Sequence, residues 1–274
     1  MKKTVLSATL AKGQTALYYL GQVGFLVKWR EKYLLIDGYL SDYVDKNCCS
    51  EQVQWVRKYP APITAEELDF VDYVFCTHTH YDHADPETLA SLARVNRKAK
   101  YIVSAANADT IAAYGIEKSN ILGLKADVPT VLEAGLTVTA VPAAHEVFHT
   151  DANGDYLEVG FRIETEDVTL FHAGDGCPYD GLAERLRGCD VLMLPINGRD
   201  YFRTVVCDII GCFDSREAVL LCKEVGAKLL IPTHFDLYDC NGVNPAHFVD
   251  VLKTLHPTQR FHIFAPGEGY IFTK

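Results

Sequence analysis

Thr77-His78-Thr79-His80-Tyr81-Asp82-His83-Ala84-Asp85-Pro86 is the stretch on which the reading of this chain turns. The apolar run Tyr73–Cys76 in front of it predicts a short buried strand. Behind it, Asp85 reads as a helix N-cap and Pro86 as the first helical residue of a helix reaching about Asn96. The His-x-His-x-Asp-His turn therefore joins a strand end to a helix start, where open α/β sheets place their ligands. Imidazole nitrogen suits zinc and similar ions, and carboxylate oxygen is a harder donor. In a tight turn such donors aim in different directions, so some can serve one cation and the rest a neighbour.

Three further candidates lie just beyond later apolar runs. His145 follows the predicted strand Leu136–Pro142. Asp175 follows Val168–Phe171 in Phe171-His172-Ala173-Gly174-Asp175-Gly176. His234 follows Lys228–Ile231 in Ile231-Pro232-Thr233-His234-Phe235-Asp236. Any one alone would be an ordinary surface or core residue. Together with the histidine turn they repeat one structural position, a polar group at a strand end.

The rest of the chain reads as short strands and short helices alternating without repeats or linkers, as one domain over residues 1–274. Thr15–Leu20, Val23–Trp29 and Lys32–Ile36 look like strands joined by tight turns. Residues 39–62 read as a long loop or insertion. Thr64 with Glu67, and Asp214 with Glu217, have capping-box spacing. Ser104 is placed as the cap of a helix ending at Gly115, and Phe261–Phe264 and Tyr270–Thr273 as closing strands. The mixture of hairpins and strand–helix units predicts an α/β fold of mixed sheets covered by helices.

Composition narrows the function. The net charge is −10 over 274 residues, and no basic run is long enough to grip a phosphate backbone, so no nucleic-acid partner is expected. The nine cysteines are odd in number and contain no Cys-x-x-Cys, which predicts a reducing, cytoplasmic setting and no cysteine in a ligand position. The start Met1-Lys2-Lys3 has a faint likeness to a signal peptide, but its apolar run is too short. No membrane association is expected, and the sequence is compatible with a homo-oligomer.

The ordered set of motifs resembles the metallo-β-lactamase superfamily from Asp37 to His234. The resemblance implies a four-layer αβ/βα sandwich with a hydrolytic site between the sheet edges. It implies His78, His80 and His145 on one divalent metal, Asp82, His83 and His234 on a second, and Asp175 bridging both. Asp37, in Leu35-Ile36-Asp37-Gly38, matches the aspartate that supports the histidine loop. Asp85 and Asp236 are further candidates to hold ligand imidazoles. Within the superfamily the chain looks most like the ascorbate-6-phosphate lactonase group, through Asp82–Pro86, Phe171–Asp175 and Ile231–Asp236. That likeness adds manganese to zinc as a candidate metal, while residues 39–62 and 197–213 depart from the group.

The expected chemistry is hydrolysis by a water that two cations share and acidify from about 15.7 towards about 7, with Asp82 orienting it and later passing a proton. A lactone or ester of a small anionic substrate, such as a sugar phosphate, is the first reading. A phosphodiesterase acting on a cyclic nucleotide, phospholipid or RNA is the second, and a metal- or ligand-binding protein without catalysis the third. An anionic substrate on an acidic protein needs local cations, and Arg199 and Arg203 are the candidates for a clamp. His172 is a candidate substrate contact, weighed against a structural hydrogen bond.

Overall fold

Residues 14–36 form three antiparallel strands, β1 (Gln14–Gly21), β2 (Gly24–Trp29) and β3 (Lys32–Ile36), in a computed structural model that describes residues 1–274. The strands β4 (Tyr73–Cys76), β5 (Lys100–Ser104) and β6 (Ile121–Leu124) then add in parallel. A second sheet follows from β7 (Thr130–Glu133), β8 (Leu136–Pro142), β9 (Val159–Thr165), β10 (Thr169–His172), β11 (Val191–Pro195) and β12 (Leu229–Thr233). The last strand, β13 (Gly269–Thr273), returns to pair with β1. The strand orders are β13-β1-β2-β3-β4-β5-β6 and β12-β11-β10-β9-β8-β7.

Alternate side chains of each strand enter different cores. Leu17, Tyr19, Phe25 and Val27 of the first sheet meet Val138, Phe161, Ile163 and Met193 of the second in the layer between them. Ala16, Tyr18, Leu20 and Leu26 face outward under the helix Pro86–Val95, which contributes Leu89 and Leu92. On the far side, Phe171, Leu192 and Leu194 pack against the helices Ser215–Val225 and Pro245–Leu255. Both faces of the strands are covered, which is why they read as continuous apolar runs. The result is the four-layer αβ/βα sandwich.

The amino terminus is docked. Residues Lys2–Ser7 form a helix with Val5 fully buried, and the buried Lys28 Nζ donates to Ala8 O at 2.7 Å. No helix is long and apolar enough to cross a membrane. Local expectations fail in three places. Phe261–Phe264 makes only one bridge, Leu230 to Phe261, touching the open edge of β12 once without running along it. The helix after Ser104 breaks into a 3-10 turn, Ala105–Asn107, and a short helix, Ala108–Ala113; Ser104 Oγ bonds Tyr156 O instead of capping. Strands β6 and β7 have half-exposed, weakly patterned sequences and were not anticipated.

Candidate metal centre

The strand directions bring the expected ligands to one edge. The turns after β3, β4, β8, β10 and β12 carry Asp37, His78–His83, His145, Asp175 and His234 respectively. Two of these residues adopt left-handed backbone, Asp37 at φ 44° and His234 at φ 58°. Such conformations cost of order 1–3 kcal/mol and persist where the surroundings impose them. Asp37 N–H continues the sheet by donating to Phe75 O at 2.9 Å, and His234 N–H donates to Gln22 O at 2.7 Å. Gly174 allows the Asp175 turn to approach the histidine turn: a Cβ there would stand 2.6 Å from Thr77 Oγ1.

The structure brings all seven expected ligands together. His78, His80 and His145 form one trio whose ligand atoms lie within 4.8 Å of one another, and Asp82, His83 and His234 form another. Asp175 lies between them, with Oδ1 3.2 Å from His83 Nε2 and Oδ2 3.3 Å from His234 Nε2 and 3.8 Å from His145 Nε2. His78 Nε2, His83 Nε2, His145 Nε2 and Asp175 Oδ1 are buried with no hydrogen-bond partner. Native interiors rarely tolerate such atoms, and four aimed into one space fit divalent cations held by nitrogen and oxygen donors.

The electrostatics agree. Burial pushes the pKa of His78 well below the ordinary imidazole value and that of His145 to about 4, so both present neutral rings. Burial works the same way on His83, but the carboxylates of Asp175, Asp82 and Asp37 outweigh it and raise its pKa well above that value. Burial would likewise raise the Asp175 pKa, yet His234 and His83 overcome it and hold the carboxyl well below its usual range. The negative charge gathered here calls for positive partners.

Asp37 anchors the histidine turn from below. Its Oδ1 accepts Thr77 N–H at 2.8 Å, and its Oδ2 accepts Thr77 Oγ1 at 2.7 Å and faces His83 Nδ1 at 2.9 Å. A proton on Nδ1 leaves Nε2 free as a ligand atom. The other two aspartates proposed for this role behave differently. Asp85 accepts from Ser41 N–H and Oγ and from Glu87 N–H, so it caps its helix and touches no ligand imidazole. Asp236 accepts Tyr19 OH at 2.9 Å and Gln22 N–H at 3.3 Å, fixing the β1–β2 turn.

That turn supplies a residue the sequence reading missed. Gln22, buried and at φ 57°, places Nε2 3.0 Å from both Asp82 Oδ2 and His234 Nε2. A glutamine in a Gly21-Gln22-Val23-Gly24 turn carries no sequence signal for such a role. Cys212 was missed as well: its thiol lies within ligand reach of His145 and Asp175, against the expectation that no cysteine would. The turn that carries it is held by Phe213 N–H donating to Gly176 O, beside Asp175.

The proposed substrate contacts do not converge on the centre. His172 is buried beneath it; its Nδ1 accepts Gly174 N–H at 3.1 Å and its Nε2 donates to Val23 O at 2.7 Å, so both nitrogens are spent on backbone. Arg199 bonds Cys212 O at 2.7 Å and pairs with Glu217, and Arg203 pairs with Asp200 and bonds Asn197 O. Neither lines the cavity over the site. That cavity, about 380 Å³, is walled by Val44, Cys48 and Trp55 and by Asp208, Ile209 and Ile210, and His80, Asp82, His145 and Asp175 line it as well. These walls come from the two segments that depart from the lactonase group.

A profile described as the beta-lactamase superfamily domain matches residues 32–235. The chain belongs to the metallo-β-lactamase superfamily. A metal-dependent hydrolase of the UPF0173 group from Caldivirga maquilingensis is 26% identical over 257 residues, covering 92% of this chain and 96% of the relative. One from Archaeoglobus fulgidus is 27% identical over 262 residues, covering 93% and 98%. Among solved structures, the metallo hydrolase Igni18 of Ignicoccus hospitalis superposes with a TM-score of 0.70 at 20% identity, over 95% of this chain and 99% of that one. An isothiocyanate hydrolase from Delia radicum gut bacteria gives 0.75 at 19%, over 94% and 100%. Family, fold and side-chain set make this superfamily member a metal-dependent hydrolase.

Proposed function

We propose that the chain hydrolyses a small lactone or carboxylic ester with two divalent cations. The observation that carries this reading is the convergence of four unpartnered, buried ligand atoms beneath an open cavity. Bound cations there supply Lewis acidity and bring a water towards ionisation near neutral pH. His78, His80 and His145 would hold one, Asp82, His83 and His234 the other, and Asp175 both. Asp82 lines the cavity beside the other ligands, with Gln22 donating to its Oδ2. The other oxygen is then free to orient the attacking water and to return its proton to the departing alkoxide.

The lactone class is supported by the likeness of the Asp82–Pro86, Phe171–Asp175 and Ile231–Asp236 motifs to the lactonase group. The cavity refines it. Its walls carry no lysine or arginine, and Asp208 faces in. The charge of a small anionic substrate, or of the carboxylate released, is therefore met at the cations. Trp55, Val44, Ile209 and Ile210 suit an apolar or ring-shaped body. A nucleic-acid phosphodiester, which brings a run of further phosphates, finds no lysine or arginine in the lining to meet them.

Protein loaded with zinc or manganese is assayed against a panel of lactones, carboxylic esters and bis-p-nitrophenyl phosphate, before and after chelation. Lactone or ester turnover that disappears with the metal is expected. Phosphodiester cleavage without lactone or ester turnover overturns the proposal.

A further inference from the structure

Cys212 is fully buried, yet it belongs to none of the apolar clusters that absorb Cys76, Cys189 and Cys222. Its Sγ lies with a His145 nitrogen and an Asp175 oxygen in a set whose atoms are all within 4.8 Å of one another. His145 Nε2 and Asp175 Oδ1 are themselves buried without partners, at 2% and 5% residue exposure. The backbone that carries the thiol is fixed on both sides. Phe213 N–H is fixed to Gly176 O at 2.8 Å, Cys212 O accepts from Arg199 at 2.7 Å, and Cys177 Sγ donates to Gly211 O at 3.5 Å.

Thiolate is a soft ligand that favours zinc-class ions, whereas manganese prefers carboxylate, carbonyl and water. From this geometry we infer that Cys212 is a sulfur ligand on the His145–Asp175 side of the centre and tilts it towards zinc over manganese. The inference rests on the metal reading above. Binding forms one metal–sulfur bond and breaks one S–H bond, the proton leaving to solvent with no change of oxidation state. The donors on that side are then nitrogen, oxygen and sulfur, the three donor types that zinc binds in proteins.

Cobalt(II) tests this without reference to turnover. Visible ligand-field absorption reports capture of the ion by the centre, and near-ultraviolet charge-transfer absorption reports a sulfur ligand. Wild type, Cys212→Ser, Cys177→Ser and Cys48→Ser are titrated, the last because Cys48 lines the cavity. The charge-transfer band is expected in wild type, Cys177→Ser and Cys48→Ser, and lost in Cys212→Ser. Competition titrations should show Cys212→Ser weakening zinc by roughly tenfold or more, as for loss of a ligand or its support, with manganese much less affected. Visible bands without the sulfur band in wild type overturn the inference and leave the metal reading standing. A sulfur band retained by Cys212→Ser also overturns it, and absence of visible bands overturns both. If Cys212→Ser fails to fold, the wild-type spectrum still decides.

Discussion

Gln22 Nε2 lies 3.0 Å from Asp82 Oδ2, joining the first hairpin to the histidine turn across 60 residues of sequence. An amide in this position fixes which carboxylate oxygen faces the cavity. Replacing Gln22 with alanine should lower kcat/KM or metal affinity by roughly 10–100-fold, the usual cost of losing a group that orients a ligand. Gln22→Glu should be worse, since a third carboxylate oxygen would face Asp82 Oδ2 with no proton to share. Metal titration beside steady-state kinetics on both variants checks this; unchanged affinity and rate in Gln22→Ala would show that Asp82 needs no such support.

Asp37 acts on the chemistry through a proton position. With Nδ1–H of His83 donating to Asp37 Oδ2, the ligand nitrogen is Nε2. Asp37→Asn that keeps its oxygen for Thr77 N–H turns an NH₂ towards His83 and favours the tautomer with its proton on Nε2. Asn should therefore bind metal nearly as poorly as Ala, each weaker than wild type by roughly 10–100-fold, although Asn keeps more of the fold's stability. Elemental analysis and thermal unfolding of both variants separate the two effects.

Arg199 should prove a structural residue. Its guanidinium satisfies Cys212 O and pairs with Glu217. Arg199→Ala strands that buried carbonyl, a loss of about 1–3 kcal/mol. Tm should fall, while kcat/KM for matched anionic and neutral esters changes by the same factor. A selective loss on the anionic ester would restore the clamp expected from sequence.

A pH effect is expected far from the centre. Burial alone would raise the Asp190 pKa, but Thr169 N–H and the ammonium groups of Lys274 and Lys228 outweigh it and hold the carboxyl below its ordinary value. A carboxyl depressed on folding stabilises above its unfolded pKa, near about 3.9, and loses that contribution as pH falls through the folded value. Asp190→Asn should lower Tm at neutral pH by roughly 2–4 °C per kcal/mol lost. The gap to wild type should narrow below about pH 4; a gap independent of pH would mean the ion pairs contribute nothing.

The centre was legible because its ligands are rare residue types at strand ends, and strand ends are readable from apolar runs such as Tyr73–Cys76 and Leu136–Pro142. Asp85 illustrates the limit: its place in Asp85-Pro86 identifies a helix cap, and the cap consumes the carboxylate. His172 and Arg199 were read by residue type, but their partners, Val23 O and Cys212 O, are backbone atoms set by tertiary packing. Gln22 and Cys212 escaped for the converse reason, being common residues brought to the centre only by the closing of the two sheets. The short strands β6 and β7 escaped because edge positions need little apolar patterning.

The ligands are divided across the fold. His78, His80, Asp82 and His83 hang from the sheet containing β4, whereas His145, Asp175 and His234 hang from the sheet containing β8, β10 and β12. Any ion seated among them rivets the two halves of the chain along the seam where they would otherwise part most easily. Occupancy and mechanical integrity are thus one property: emptying the centre should loosen the rim of the sandwich first, while the apolar layer deeper between the sheets stays shut.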